Sequence, residues 1–232
     1  HPHTLPLLLL ALLLGLTTTT ALPAQVVEIC DNGIDDDGDG LIDCDDEECL
    51  PLLEGFSDGF LGESGSTGVA LGDLDDDGDL DAWVTNWTSP NRVWINDGLG
   101  NFTDSGQALG NSSSIDVSFG DLDGDGNLDA WVTNWNNQGN RVWINDGLGN
   151  FTGTGQALGN SFSRDVSLGD LDGDGDLDAW VANGYDQANH VWINDGLGNF
   201  AASAQLLGNS WSYAVALGDL DGDGDLDAWV AN

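Results

Sequence analysis

The sequence predicts an all-β fold: an incomplete β-propeller of four-stranded antiparallel blades, about three and a half to four of them, preceded by a small Cys/Asp-rich loop module. Three observations predict this fold. A unit of about 49 residues recurs within residues 51–232, each unit holds short runs of β-branched and aromatic residues between turn residues, and no run has a helical period. Four short strands in a unit of this length are typical of a propeller blade.

The chain opens with an apolar segment. A run from Leu5 to Leu16 is followed by small residues up to Ala24. That length suits the core of a signal peptide and is short for a membrane span. We expect residues 1–24 to be a signal peptide, so that the mature protein is secreted or at the cell surface without a stable membrane span; the alternative is an apolar element of the folded domain. Because the segment lacks a basic start and the chain lacks Met, we expect the natural N-terminus to lie upstream.

The charge of the chain excludes two classes of partner. It has 41 Asp and Glu against 3 Lys and Arg, which gives a formal net charge of −38. Nucleic acid and anionic membrane surfaces both require a basic face, so neither is expected as a partner. The hydrophobic content of 40% nevertheless indicates a packed fold. Because most of the acidic residues are clustered Asp, we expect bound cations to offset their mutual repulsion.

Two sequence blocks define the repeat. The nonapeptide DxDxDGxxD begins at Asp73, Asp121, Asp170 and Asp219, at spacings of 48, 49 and 49 residues, and VWINDGLGNF occurs three times. In the second copy, strands are predicted at 116–120, 128–135 and 141–145, with a weaker fourth strand from Phe151. The acidic nonapeptide then lies between the first and second strands. We expect the strand tryptophans in the core, with ligand stacking as the alternative: Trp83, Trp94, Trp131, Trp143, Trp180, Trp192 and Trp229.

The nonapeptides have the chemistry of a calcium site. Ca²⁺ takes about six to eight hard oxygen ligands. Asp at positions 1, 3, 5 and 9 supplies carboxylates, Gly at position 6 permits a sharp turn, and position 7 offers its backbone carbonyl. The predicted ligands are Asp73, Asp75, Asp77, Asp79 and Asp81; Asp121, Asp123, Asp125, Asn127 and Asp129; Asp170, Asp172, Asp174, Asp176 and Asp178; and Asp219, Asp221, Asp223, Asp225 and Asp227. The alternative, a solvated acidic turn, leaves four close carboxylates to repel one another.

Residues 25–50 hold a fifth, different acidic loop. Its predicted calcium ligands follow the pattern DxDxDGxxDxxD: Asp35, Asp37, Asp39, Leu41, Asp43 and Asp46. Cys30, Cys44 and Cys49 lie in the same segment. In an oxidising compartment two of them would pair, and the sequence does not decide which two. The segment resembles thrombospondin type 3 and related EF-like calcium modules; a disulfide knot with an acidic surface is the alternative.

The repeats resemble the FG-GAP or VCBS class of integrin-α type. The units that carry the resemblance are VALGDLDDDGDLDAWV, VSFGDLDGDGNLDAWV, VSLGDLDGDGDLDAWV and VALGDLDGDGDLDAWV, and Phe119-Gly120 preserves the FG pair. In that family the acidic loop joins the first two strands of a blade and binds calcium, which the resemblance implies for the loops here. Family propellers close with about seven blades. We therefore expect a piece of a longer chain, with apolar faces exposed on both terminal blades.

These features together predict a function. We expect a secreted calcium-binding module that acts outside the cell in adhesion, in binding of a protein or glycan, or in a structural role. The alternatives are a glycan-binding, lectin-like propeller and the non-catalytic part of a larger secreted enzyme such as a lyase or lipase. Catalysis by the chain itself is not expected, because Lys is absent and His190 is the one His beyond the leader.

Overall fold

The structure is a computed structural model that describes residues 65–232. Within this range fourteen strands form three four-stranded antiparallel sheets and one two-stranded sheet, and there is no helix. None of the described residues forms a helix long and apolar enough to cross a membrane. The predicted signal peptide (1–24) and the predicted calcium loop of residues 25–50 lie outside the described residues.

Each sheet follows the chain order of its strands. The first sheet contains β1 (Ser66–Gly72), β2 (Asp81–Asn86), β3 (Arg92–Asn96) and β4 (Phe102–Asp104). The second contains β5 (Ser114–Gly120), β6 (Asp129–Asn134), β7 (Arg141–Asn145) and β8 (Phe151–Gly153). The third contains β9 (Ser163–Gly169), β10 (Asp178–Asn183), β11 (Asn189–Asn194) and β12 (Phe200–Leu207). The last contains β13 (Ala214–Gly218) and β14 (Asp227–Ala231).

The strands lie close to their predicted positions. In the second repeat, β5 begins two residues before the predicted start, β6 lies within 128–135, and β7 spans 141–145. The earlier start of β5 comes from Ser114, which pairs with Asn134 across an irregularity in the register. The acidic nonapeptide connects the first and second strands of every sheet, as predicted.

The sheets are arranged as successive blades. The first strands of neighbouring sheets contact one another: β1 contacts β5, β5 contacts β9, and β9 contacts β13. Sheets that meet side by side through the same strand form the radial arrangement of a propeller. The described residues therefore form three complete blades and one half-blade, which confirms the predicted incomplete propeller.

Tryptophans of the second strands fill the space between blades. Trp83 in β2 and Trp131 in β6 are fully buried. The ring of Trp83 meets Phe151 of the second blade edge-on, with the centroids 4.8 Å apart. Trp131 meets Phe200 of the third blade in the same way at 4.6 Å. The first and second blades thus each supply a Trp that is covered by a Phe of the next blade.

The prediction that all the strand tryptophans are core is wrong for Trp229. Its side chain is 72% exposed. The residue lies in β14, and the described chain has no later strand to provide the cover that Phe151 and Phe200 give to its equivalents. Of the others, Trp192 is buried, and three are half-buried: Trp94, Trp143 and Trp180.

Apolar side chains are exposed on both terminal blades, as predicted. Val69 and Leu71 in β1 are 61% and 57% exposed. Val117 and Val166, the equivalents of Val69 in the next two blades, are each 5% exposed. The difference arises because the preceding blade covers the first strand of each later blade.

Candidate metal centres

Each acidic nonapeptide forms a tight loop between two strands. We call these the first to fourth acidic loops, residues 73–81, 121–129, 170–178 and 219–227. The glycine at position 6 has a left-handed φ in every loop: Gly78 (94°), Gly126 (93°), Gly175 (98°) and Gly224 (98°). Position 4 is also left-handed, at Asp76 (61°), Gly124 (80°), Gly173 (84°) and Gly222 (81°). Gly adopts this region freely and Asp tolerates it, which explains the residues found at position 4.

The carboxylate at position 1 holds the turn together. In the second loop, Asp121 accepts hydrogen bonds from the backbone N–H groups of Gly124 at 2.8 Å and Gly126 at 3.0 Å. The third and fourth loops repeat both contacts. The loop backbone is therefore ordered by its own first residue, which leaves further lone pairs of that carboxylate free to bind a cation.

Three of the predicted carboxylate ligands converge in every loop. Positions 1, 3 and 9 each offer one oxygen, and these oxygens lie within 4.8 Å of one another: Asp73, Asp75 and Asp81; Asp121, Asp123 and Asp129; Asp170, Asp172 and Asp178; Asp219, Asp221 and Asp227. The group recurs four times at the same positions, although the loops differ in exposure to solvent.

Positions 5 and 7 are not members of these groups. The position 5 carboxylate accepts the backbone N–H of position 7, as when Asp125 binds Asn127 at 2.8 Å. The role of the position 5 carboxylates as ligands remains a prediction: Asp77, Asp125, Asp174 and Asp223. So does the role of the position 7 carbonyls: Asp79, Asn127, Asp176 and Asp225.

In the first three loops the carboxylate at position 9 is buried, and each of its oxygens accepts a backbone N–H. Asp129 has no exposed surface. One of its oxygens accepts the N–H of Leu122 at 2.9 Å, and the other accepts the N–H of Asn145 at 2.8 Å. The first and third loops contain the same pair of contacts at Asp81 and Asp178. This residue therefore joins the loop, the second strand and the end of the third strand.

Burial makes these carboxylates unfavourable as isolated anions. Burial raises the pKa of Asp129 to about 6, and the charges of Asp123 and Asp125 act in the same direction. The N–H groups of Asn145 and Leu122 oppose this rise in pKa. Burial also raises the pKa of Asp178 in the third loop. A cation among the carboxylates would favour their ionised form.

One buried oxygen in the first loop has no hydrogen-bond partner among residues 65–232. Asp75 Oδ1 is inaccessible to solvent and accepts no hydrogen bond from any of these described residues. Burial raises the pKa of Asp75, and the charges of Asp81 and Asp77 raise it further. Buried carboxylate oxygens are normally hydrogen-bonded or bound to a metal. The donor set at this position therefore fits a bound hard cation.

Sequence reasoning did not single out the asparagine that ends each third strand. The Nδ2 group of Asn145 donates to the carbonyl of Leu74 at 2.8 Å, in the acidic loop of the preceding blade. Asn194 donates to the carbonyl of Leu122 at 2.9 Å in the same way. The only signal in the sequence is the identical recurrence of the VWINDGLGNF block, in which a strand is predicted at 141–145.

Comparison with known families gives one match over most of the described residues. The model of the FG-GAP-like repeat matches residues 73–132, 121–181 and 170–230, so that successive matches overlap. Each match spans two consecutive acidic loops. No curated protein matches the chain.

Comparison with solved structures finds several similar chains. A lectin of Agrocybe aegerita, described with its specific recognition of non-reducing terminal N-acetylglucosamine, is 26% identical with a TM-score of 0.40, over 71% of this chain and 42% of that one. The biofilm matrix protein Bap1 of V. cholerae is 17% identical with a TM-score of 0.44, over 72% and 28%. The Tc holotoxin pore of Photorhabdus luminescens is 20% identical with a TM-score of 0.38, over 70% and 9%. The chain spans less than half the length of each of these structures.

Proposed function

The chain belongs to the family of FG-GAP-like repeat proteins, and on that basis we propose that it is a calcium-binding propeller module of a secreted or surface protein. Its role is adhesion, binding of a protein or glycan, or structural support, and it is not itself an enzyme. The observation that carries this proposal is the fourfold recurrence of one carboxylate group at positions 1, 3 and 9 of the acidic loops.

Calcium is the cation that these loops suit best. The converging groups consist of carboxylates alone, which are the hard oxygen ligands that Ca²⁺ and Mg²⁺ prefer. Mg²⁺ usually retains several waters and is held by one or two carboxylates, whereas Ca²⁺ accepts more protein oxygens in a flexible geometry. Three carboxylates in one short loop therefore favour Ca²⁺. When bound, the ion would supply positive charge that offsets the repulsion within the loop.

The position 9 carboxylate explains how an ion in the loop would stabilise a whole blade. Asp129 is bonded to the loop through Leu122 and to the third strand through Asn145. Protonation or displacement of this carboxylate would weaken both connections, and a cation that keeps it ionised would maintain them. Because the side chain of Asn145 also reaches Leu74 of the preceding blade, the effect extends across the blade boundary.

A non-enzymatic role is consistent with the state of three of the four described basic residues. His190 is partly buried, burial lowers its pKa, and its Nδ1 lies 3.4 Å from Asn183 Nδ2. Arg92 and Arg141 donate to backbone carbonyls on the adjoining segments, at 2.9 and 2.7 Å. These three side chains therefore take part in the packing of the blades, which supports a module that binds rather than catalyses.

Titration calorimetry on matched variants tests the metal assignment. Asp123→Ala removes one carboxylate of the second group, and we expect the calcium stoichiometry to fall by one while the other loops still bind. Asp104→Ala is the control, since Asp104 is an exposed carboxylate outside the acidic loops. An unchanged stoichiometry in Asp123→Ala would remove the second group from the proposed sites. An equal loss in Asp104→Ala would indicate a nonspecific effect of charge.

A further inference from the structure

A cluster of aromatic side chains surrounds one arginine at the ends of the blades away from the acidic loops. We call it the aromatic–arginine cluster; it contains Trp135, Phe162, Arg164, Tyr185, Trp211 and Tyr213. The acidic loop precedes the second strand of each blade, whereas Trp135 directly follows the end of β6. A strand of six residues separates the two positions by about 20 Å. The cluster is therefore distinct from the metal centres.

The rings of the cluster are in contact across two blade boundaries. Tyr185 and Trp211 have centroids 4.3 Å apart, and Trp135 meets Phe162 edge-on at 5.0 Å. Trp211 and Tyr213 are stacked, with an angle of 15° between their planes. The second, third and last blades all contribute to this surface. The aromatic side chains therefore form one continuous surface across these blades and are not isolated from one another.

Arg164 lies among these rings, and no residue in the described range 65–232 offers it a hydrogen-bond acceptor. Its guanidinium carbon is 4.7 Å from the centroids of both Trp135 and Tyr213. Its Nε is inaccessible to solvent and unpaired, and no other described residue accepts a hydrogen bond from this side chain. The two other arginines of the chain, Arg92 and Arg141, each donate to a backbone carbonyl. Unpaired indole N–H groups occur elsewhere in the blades, but Arg164 is the one described arginine in this state.

The cluster depends on departures from the repeat. Arg164 occupies the position of Thr67 in the first blade and Ile115 in the second, and Gly184 occupies the position of Trp135. A Cβ on Gly184 would lie 3.1 Å from Trp211 Nε1, 3.3 Å from Trp135 and 3.4 Å from Arg164 Nε, so the missing side chain lets these groups approach.

Tyr185 is held in an unusual backbone conformation at the edge of the cluster. Its φ of 55° lies in the left-handed region, which is strained for a bulky side chain. The residue is 51% exposed, and Tyr213 on the other side of Trp211 is 53% exposed. The strained turn thus keeps one open aromatic face in place beside Trp211.

We propose that the aromatic–arginine cluster binds a neutral carbohydrate. The apolar C–H faces of sugar rings would stack on Tyr185 and Tyr213, and sugar hydroxyl oxygens would accept hydrogen bonds from the accessible N–H groups of Arg164. Exposed aromatic faces with a few convergent polar groups are the usual composition of a ligand site. The inference deepens the proposed binding function by naming a surface and a class of ligand.

The charge of the surroundings selects against an acidic ligand. The chain carries a formal net charge of −38, and the exposed Asp186 adjoins Tyr185 in the same turn. A polyanion would be repelled by this field, and a single guanidinium would not offset it. A neutral sugar can accept hydrogen bonds from Arg164 without this electrostatic repulsion.

The test uses the full chain in millimolar calcium. An array of neutral and uronic-acid oligosaccharides identifies the tightest ligand, and calorimetry then gives its affinity for the variants. We expect a neutral oligosaccharide to bind, and both Tyr185→Ala and Arg164→Gln to weaken that binding at least tenfold. Trp229→Ala is the matched control, since Trp229 is an exposed aromatic residue outside the cluster, and it should bind as the unaltered chain does.

Three results would overturn the inference: no neutral oligosaccharide binds, a uronic-acid oligosaccharide binds more tightly than every neutral one, or the two cluster variants bind normally. Each variant must retain its calcium-dependent rise in melting temperature, which shows that it is folded. A chain that keeps this rise but binds no sugar contradicts only the carbohydrate site. An unaltered chain without the rise contradicts the proposed calcium-binding module itself.

Discussion

The buried carboxylate of Asp129 accepts a hydrogen bond from the backbone N–H of Asn145 at 2.8 Å. The side chain of Asn145 in turn donates to the carbonyl of Leu74 at 2.8 Å, in the acidic loop of the preceding blade. One asparagine therefore connects the acidic loops of two neighbouring blades. Asn194 makes the equivalent pair of contacts one blade later.

Asn145→Ala should destabilise the fold. The substitution removes the donor to Leu74 and leaves a buried carbonyl without its partner, which costs roughly 1–3 kcal/mol. Asn96→Ala is the control, because the Asn96 side chain bonds only within its own blade, to the carbonyl of Leu80 and the N–H of Gly100. Chemical denaturation should show a clearly smaller loss of unfolding free energy for Asn96→Ala. Equal losses in the two variants would mean that the contact between blades contributes nothing measurable.

Gln156 forms a second connection between blades. Its side-chain amide donates to the carbonyl of Gly198 at 2.7 Å and accepts the N–H of Phe200 at 2.8 Å. Gln156→Ala should therefore lower the unfolding free energy by about 1–3 kcal/mol. Gln205 occupies the same repeat position but is exposed, and Gln205→Ala should stay within about 0.5 kcal/mol of the unaltered chain. Equal losses of unfolding free energy in Gln156→Ala and Gln205→Ala, measured by chemical denaturation, would contradict this account.

Asp116 and Asp165 form a carboxyl pair on the first strands of neighbouring blades. Burial raises the pKa of Asp116 to about 7, and the hydrogen bond and charge of Asp165 contribute to the rise. Because this folded-state pKa lies above the ordinary value of 3.8, the folded chain binds more protons than the unfolded chain between those two values. Stability from this pair is therefore greatest at low pH and falls as pH rises through about 4 to 7.

Asp116→Asn should remove much of that pH dependence. In a chelator-containing buffer, the loss of unfolding free energy between pH 4.5 and 7.5 should be smaller in the variant by roughly 2–4 kcal/mol. Comparison with Asp104→Asn, a substitution outside the pair, corrects for the general effect of one fewer negative charge. The buried loop carboxylates also make every variant less stable as pH rises, so only the difference in this pH dependence between variants is informative. If the unfolding free energy of the unaltered chain, Asp116→Asn and Asp104→Asn changed equally with pH, the carboxyl pair would be excluded as the source of the pH dependence.

The blades were predictable because the evidence for them is local and repeated. Strand composition and the turn residues of one 49-residue unit recur in the next, so β5 to β8 could be located before any contact was known. Contacts between units are harder to predict from the sequence. Nothing within the unit of Trp229 indicates whether a further blade covers it, and the reach of Asn145 to Leu74 spans 71 residues.

The acidic loops were predictable in part for the same reason. The spacing of Asp121, Asp123 and Asp129 reflects a common centre, and the structure brings their oxygens together. The aromatic–arginine cluster was not predicted. Arg164 and Gly184 differ from the residues at the equivalent positions of the other repeats. Such a difference can be interpreted only when it is known which residues of the neighbouring blades lie beside it.

The most direct test is the melting temperature with and without calcium. Extracellular calcium sites have dissociation constants of about 0.1–1 mM, so millimolar calcium should add roughly 1 kcal/mol for each occupied loop. Four loops then contribute about 4 kcal/mol, which for a domain of this size corresponds to a rise of roughly 8–16 °C.

The control replaces the position 3 residue of all four loops by Ala, at Asp75, Asp123, Asp172 and Asp221. The account predicts that the unaltered chain melts roughly 8–16 °C higher in millimolar calcium than in a chelator-containing buffer. The fourfold variant should melt at the same temperature in both buffers. Equal melting temperatures of the unaltered chain in calcium and in chelator would contradict it, because the loops would then be acidic turns without a metal.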